Sequence, residues 1–104
     1  ARAESDTTLD DFIAAAARWT RHGGRVAIVF AASRSAELIA SLRTHRLEPK
    51  RIRFVHPRAD APASTVLVEA RKGGGIEVAI EPPLIMYDAP GAYSAEAHAL
   101  LECP

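Results

Sequence analysis

The residues that could do chemistry here are scattered polar side chains and one concentrated run of cations. Four histidines, His22, His45, His56 and His98, lie far apart in sequence with no ligand-spaced partners, which argues against a metal site. No Ser, nor the single Cys103, has the neighbours that activate a nucleophile. Tyr87-Asp88 could exchange protons, but beside Pro90-Gly91 the pair reads as a side-chain-capped turn. Gly73-Gly74-Gly75 follows a strand without leading into a helix, so it reads as a flexible turn rather than a phosphate cradle. What remains is His56-Pro57-Arg58 at the tip of a basic strand, beside Arg53. Arg71 and Lys72 are expected opposite it across a hairpin. Guanidinium groups with an imidazole at a loop mouth suit phosphate contacts that position a nucleic acid without reading its sequence. They suit also a solvated hairpin end whose cations pair with the acidic tail.

The charge distribution keeps both readings open. Net charge is zero, yet Arg43 to Lys72 carries eight Lys and Arg against Glu48, Asp60 and Glu69. Beyond Lys72 there is no Lys or Arg, whereas Glu77, Glu81, Asp88, Glu96 and Glu102 follow. A basic middle and an acidic tail describe either a polyanion-facing patch or two segments that neutralise each other on folding.

The elements that must position these residues follow from periodicity. Arg51–His56 and Thr65–Ala70 are rich in β-branched and aromatic residues, and a Pro-rich loop joins them as a hairpin. Arg51 and Arg53 face away from Ile52 and Phe54, so the first strand is expected at an edge. The second, apolar on both faces, is expected inside the sheet. Upstream, Thr8 with Asp11 forms a shortened capping box for a helix whose apolar face is Leu9, Phe12, Ile13, Ala16 and Trp19, ended by Gly23-Gly24. Arg25–Phe30 reads as a buried parallel strand, and Ser33 or Ser35 caps a second helix with Leu38, Ile39 and Leu42 as its stripe. Residues 1–6 have no period and are expected to fray. After the glycines, Ile76–Ile80 and Leu84–Tyr87 offer short strands divided by Pro82-Pro83, and Ser94 caps a last helix to about Leu101.

With 104 residues the chain is one domain or part of one, and its ordinary hydrophobic and charged fractions indicate a globular protein. One cysteine excludes an internal disulfide framework and fits a reducing, cytoplasmic setting. No apolar run reaches the length of a membrane span, and the N-terminal residues lack a signal-peptide core.

The segments Phe54-Val55-His56-Pro57-Arg58, Pro62-Ala63, Val66–Gly74, Pro82-Pro83-Leu84, Tyr87-Asp88 and Gly91-Ala92-Tyr93 resemble the C-terminal part of bacterial valine-tRNA adenine-N(6)-methyltransferases. These are class I enzymes that use S-adenosylmethionine to methylate the exocyclic amine of an adenine beside the anticodon. Gly23-Gly24-Arg25 and the strand after it resemble the family's turn into its fifth strand, with His22 where proline is usual. The resemblance implies an α/β fold, the C-terminal half of a Rossmann-like sheet: helix, buried strand, helix, antiparallel hairpin and tail. It implies that residues 1–104 form a single partial domain, with the hairpin's second strand inserted between its first and Arg25–Phe30.

The same resemblance places the family's cofactor loop and its Asn-Pro-Pro-aromatic motif before Ala1. Glu81-Pro82-Pro83-Leu84 is not that motif, because Glu stands where the amide is required and no aromatic follows. No catalytic or cofactor-binding residue is therefore carried over. S-adenosylmethionine is expected for the complete enzyme and none for this chain alone. The implied partner is tRNA, with Arg53, His56, Arg58, Arg71 and Lys72 as candidate contacts. A strand Arg25–Phe30 without its neighbour also predicts a homo-oligomer through that edge. The competing reading is a non-catalytic, dimeric α/β module that binds RNA or a protein.

Overall fold

The computed structural model describes residues 8–89 and 92–93, with side chains described for residues 8–87. The elements run α1 (Leu9–Trp19), β1 (Arg25–Ala31), a 3-10 turn (Ala32–Arg34), α2 (Ser35–Thr44), β2 (Leu47–His56), β3 (Thr65–Lys72), β4 (Ala79–Ile80), β5 (Leu84–Ile85), β6 (Tyr87–Ala89) and β7 (Ala92–Tyr93). The expectations for residues 1–6 and for a helix from Ser94 to Leu101 lie outside the described residues.

α1 starts as its capping box requires. The Asp11 amide donates to Thr8 Oγ1 at 3.1 Å, and the Thr8 amide donates to Asp11 Oδ2 at 3.5 Å. It ends at Trp19, before the glycines, where Thr20 Oγ1 donates back to the Ala16 carbonyl at 2.7 Å. Its buried stripe is Leu9, Ile13 and Ala17; Phe12 and Trp19, expected on that stripe, are exposed. α2 buries Leu38 and Leu42. Neither Ser33 nor Ser35 caps it: the N-cap is Arg34, which makes no capping bond, and Arg34 instead grips Glu37 through two bonds of 2.9 and 2.7 Å.

The main sheet has the order β1-β3-β2-β4, with β5 also pairing β2. β3 is antiparallel to both β1 and β2, so β1 and β2 run the same way with β3 inserted between them, as the resemblance implied. Two expectations about edges are overturned. β2 is not an edge strand, because β4 and β5 add to it in parallel, with the Glu81 amide bonding the Ile52 carbonyl and the Met86 amide the His56 carbonyl at 2.8 Å each. Nor is β1 covered on both faces with a parallel neighbour: its one described partner is antiparallel, and every second residue from Arg25 to Ala31 is exposed. Its apolar run reflects one buried face and one apolar but open face. β2 also begins earlier than expected, at Leu47, with Pro49 accommodated next to a bulge at Lys50.

Both helices lie on one face of the sheet. Register places Ile28, Val68 and Ile52 in one row and Phe30, Val66 and Phe54 in the next, all on the helix side. Leu9, Ile13, Leu38 and Leu42 close over them. The helices are tied together by Asp10, whose Oδ1 accepts from Ser41 Oγ at 2.8 Å and lies 3.0 Å from His45 Nε2. The hydrogen bond from Ser41, then that with His45, holds the Asp10 carboxyl below its ordinary pKa.

Candidate nucleic-acid interface

The antiparallel register settles where the five candidate contact residues lie. β2 ends at His56, where β3 is only beginning; Arg71 and Lys72 pair with Glu48 and Leu47, at the far end of the hairpin. Nine residue steps at about 3.4 Å each put them roughly 30 Å from His56. The expectation that Arg71 and Lys72 sit opposite His56 is therefore corrected: two strands joined at His56 run away from that end together.

At the amino end of β1 and β2, Lys72 serves the fold. Its Nζ donates to the Ala17 carbonyl at 2.6 Å and the Thr20 carbonyl at 2.8 Å, a cation on the C-terminal carbonyls of α1. Arg71 is exposed. Gly73 follows with φ of +75°, its amide on the Arg46 carbonyl at 3.0 Å and its Cα so close to the His22 ring that a side chain would collide with it. The glycine run is a tight packing turn at its first residue, not an anion cradle.

At the carboxyl end lie the other three, Arg53 on the open face of β2 and His56 and Arg58 at the start of the β2–β3 loop. His56 Nδ1 lies 2.8 Å from the Ala61 carbonyl and ties the loop down. Arg58 Nε donates to Asp60 at 3.2 Å, with over half its side chain in solvent. Arg53 Nε donates to the Pro82 carbonyl at 2.9 Å, which holds the segment between β4 and β5 against the sheet. Arg34 reaches the same end from the turn after β1, its guanidinium 5.0 Å from the Phe30 ring centroid. In open α/β sheets, ligands lie outside the carboxyl ends of the parallel strands, and this is that end for β1 and β2. Arg34 was missed because its position follows from β1 and β2 running in the same direction, which spacing along the chain does not reveal.

The open face of the sheet forms a shallow groove of about 280 Å³ floored by Ala27, Val29 and Leu67 and flanked by Arg51 and Arg53. Glu69 lies in it between two cations, 3.9 Å from both Arg25 and Arg51, and Arg51 also reaches Glu81 at 3.6 Å. Part of the positive charge counted along the sequence is thus neutralised within the sheet. Among the described residues no cluster of His, Cys, Asp or Glu could hold a metal ion, and no helix is long and apolar enough to cross a membrane.

No family model and no curated protein matches this chain. Among solved structures, the crystal structure of a predicted O-methyltransferase from Agrobacterium tumefaciens superposes with a TM-score of 0.79 at 28% identity, over 88% of this chain. The chain spans 44% of that protein's length. The mixed α/β sheet and its helices thus match part of a methyltransferase structure.

Proposed function

We propose that this chain is part of an S-adenosylmethionine-dependent methyltransferase that acts on adenine in tRNA, and that the chain alone is inactive. The observation that carries the reading is the superposition of most of this chain on less than half of a methyltransferase. The similar structure is named for transfer to oxygen. The adenine and tRNA assignment draws instead on the likeness of Phe54–Arg58, Val66–Gly74, Pro82–Leu84, Tyr87-Asp88 and Gly91–Tyr93 to tRNA adenine methyltransferases. Its support in the geometry is the carboxyl-end group Arg53, His56 and Arg58, which suits phosphate contacts beside the end where ligands lie in such sheets. Arg71 would be a distant second contact, and Lys72 contributes by holding α1 in place. A cytoplasmic location goes with this reading.

The test is methyl transfer from labelled S-adenosylmethionine to tRNA by this chain alone and by this chain joined to an N-terminal methyltransferase half carrying the glycine loop and Asn-Pro-Pro motif. The expected result is transfer to adenine by the joined protein only, and no calorimetric cofactor binding by the chain alone in the micromolar range. Transfer to a hydroxyl acceptor instead of adenine would overturn the substrate. Transfer by the chain alone would overturn the partial-site reading.

A second reading, a self-associating α/β module that holds RNA or a protein without chemistry, draws on the second edge of β1, which no described strand pairs. In either reading the chain by itself is expected to be a homo-oligomer through the edge of Arg25–Phe30.

A further inference from the structure

We propose that residues 94–104 fold back along the outer side of β4 and cover an apolar strip that Ile76, Val78 and Ile80 form beside α2. The proposal rests neither on the methyltransferase reading nor on the edge of β1.

The strip follows from the register. β4 pairs β2 in parallel with Ile80 opposite Ile52, and residues opposite each other share a face, so Ile80 stands on the helix side with Ile52. Ile76 and Val78, at the preceding alternate positions, line a pocket of about 360 Å³ on that side, walled also by Ile39, Pro49 and Ile52. Ile76 is 78%, Val78 41% and Ile80 64% exposed. What fastens the ends of this stretch to the sheet is polar. Lys50 Nζ donates to the Gly75 carbonyl at 2.9 Å, and the Glu81 amide donates to the Ile52 carbonyl at 2.8 Å. Its three large apolar side chains are left to solvent, and such a patch marks a contact surface. In the strand order β1-β3-β2-β4 the strip lies at the opposite end from β1, away from any strand set against β1.

The course of the chain brings residues 94–104 to this place. Residues 75–87 run beside β2 as far as Pro57, where the Tyr87 amide bonds the Pro57 carbonyl at 2.8 Å. β7 is antiparallel to β6 with Tyr93 opposite Tyr87, so the chain returns close to where it left β2, its direction reversed relative to β6. From the level of Pro57 back to that of Ile52 and Ile80 is five residue steps, about 17 Å.

Length and composition suit the strip. As the helix that the sequence predicts from Ser94 to Leu101, the segment spans about 12 Å and sets Leu100 and Leu101 within a side chain's length of Ile80. Ala97, Leu100 and Leu101, at i, i+3 and i+4, then form one apolar stripe toward it. Residues 102–104 continue toward Val78, and Glu102 heads for Arg43 on the rim of the pocket, a guanidinium with 58% of its side chain exposed.

Cys103 is the chain's only cysteine, so it reports where the segment lies. In Val78→Cys, oxidation by glutathione disulfide should join position 78 to Cys103 within one chain about ten times faster, or more, than Val29→Cys on the open face joins position 29. Both substitutions are at exposed sites, where the fold tolerates them. Leu100→Glu together with Leu101→Glu should abolish that advantage. The same pair should speed amide hydrogen exchange at residues 76–81 and leave β1, β2 and β3 protected. Equal rates at positions 78 and 29 overturn the proposal. So does a linkage between two chains, which would make a second copy the occupant, and so does exchange at residues 76–81 that the double substitution leaves unchanged.

Discussion

On the helix side of the sheet, Ile28, Val68 and Ile52 lie in one row and are buried; on the other side the next row offers Val29, Leu67 and Arg53, and Val29 is 68% exposed. The same strands produce both rows, because alternation along each strand sends odd and even residues to opposite faces. The difference lies in what covers them. α1 and α2 supply Leu9, Ile13, Leu38 and Leu42 to one face, and no described element covers the groove on the other. Stability among the described residues should therefore reside on the helix side of the sheet.

That contrast is sharpest for a pair of truncations. Leu38→Ala, at a fully buried site, should destabilise by about 3 kcal/mol, whereas Val29→Ala should stay within roughly 0.5 kcal/mol when measured on the monomer by urea denaturation. Equal losses would mean that the open face is covered in solution. A smaller effect tests the tie between β3 and α1: Lys72→Met keeps the aliphatic stem but leaves two helix carbonyls without their cation, at a cost of about 1–2 kcal/mol in the same measurement. Smaller again is the acid limb. Asp10 has its pKa lowered in the folded state, so its contribution is fully present above its unfolded value near 3.8 and is lost as pH falls through the folded value. Asp10→Asn should flatten the fall in melting temperature below about pH 4 and leave the profile at neutral pH nearly flat in both proteins. An unchanged acid limb would mean that the Ser41 and His45 contacts contribute nothing in solution.

The helix cap at Thr8, the identity of β1, β2 and β3, and the placement of β3 between the other two were legible in the sequence, the first from local chemistry and the last from family resemblance. Features that depend on long-range neighbours were not. An apolar run such as Arg25–Ala31 has the same composition whether both faces are covered or one is open, and Trp19 fits a helical stripe whether or not anything lies beneath it. β2 gained neighbours because Pro82-Pro83 divides two short strands without preventing either from pairing. The candidate site was half legible. Arg53, His56 and Arg58 share one end as their spacing suggested, while Arg71 and Lys72 were misplaced by treating a hairpin's two far ends as neighbours.

The insertion of β3 also sets an order of events in time. β2 and β3 meet across a short loop, Val55 against Thr65, but each β1 residue waits for a partner 34 to 46 positions later in the chain. At about 5–20 residues per second of synthesis, β1 emerges roughly two to nine seconds ahead of its partner strand. The hairpin is the local, fast-forming unit, and β1 docks onto it last. During that interval the edge of β1 that β3 later covers is open, and a nascent chain is exposed there to strand exchange with other chains.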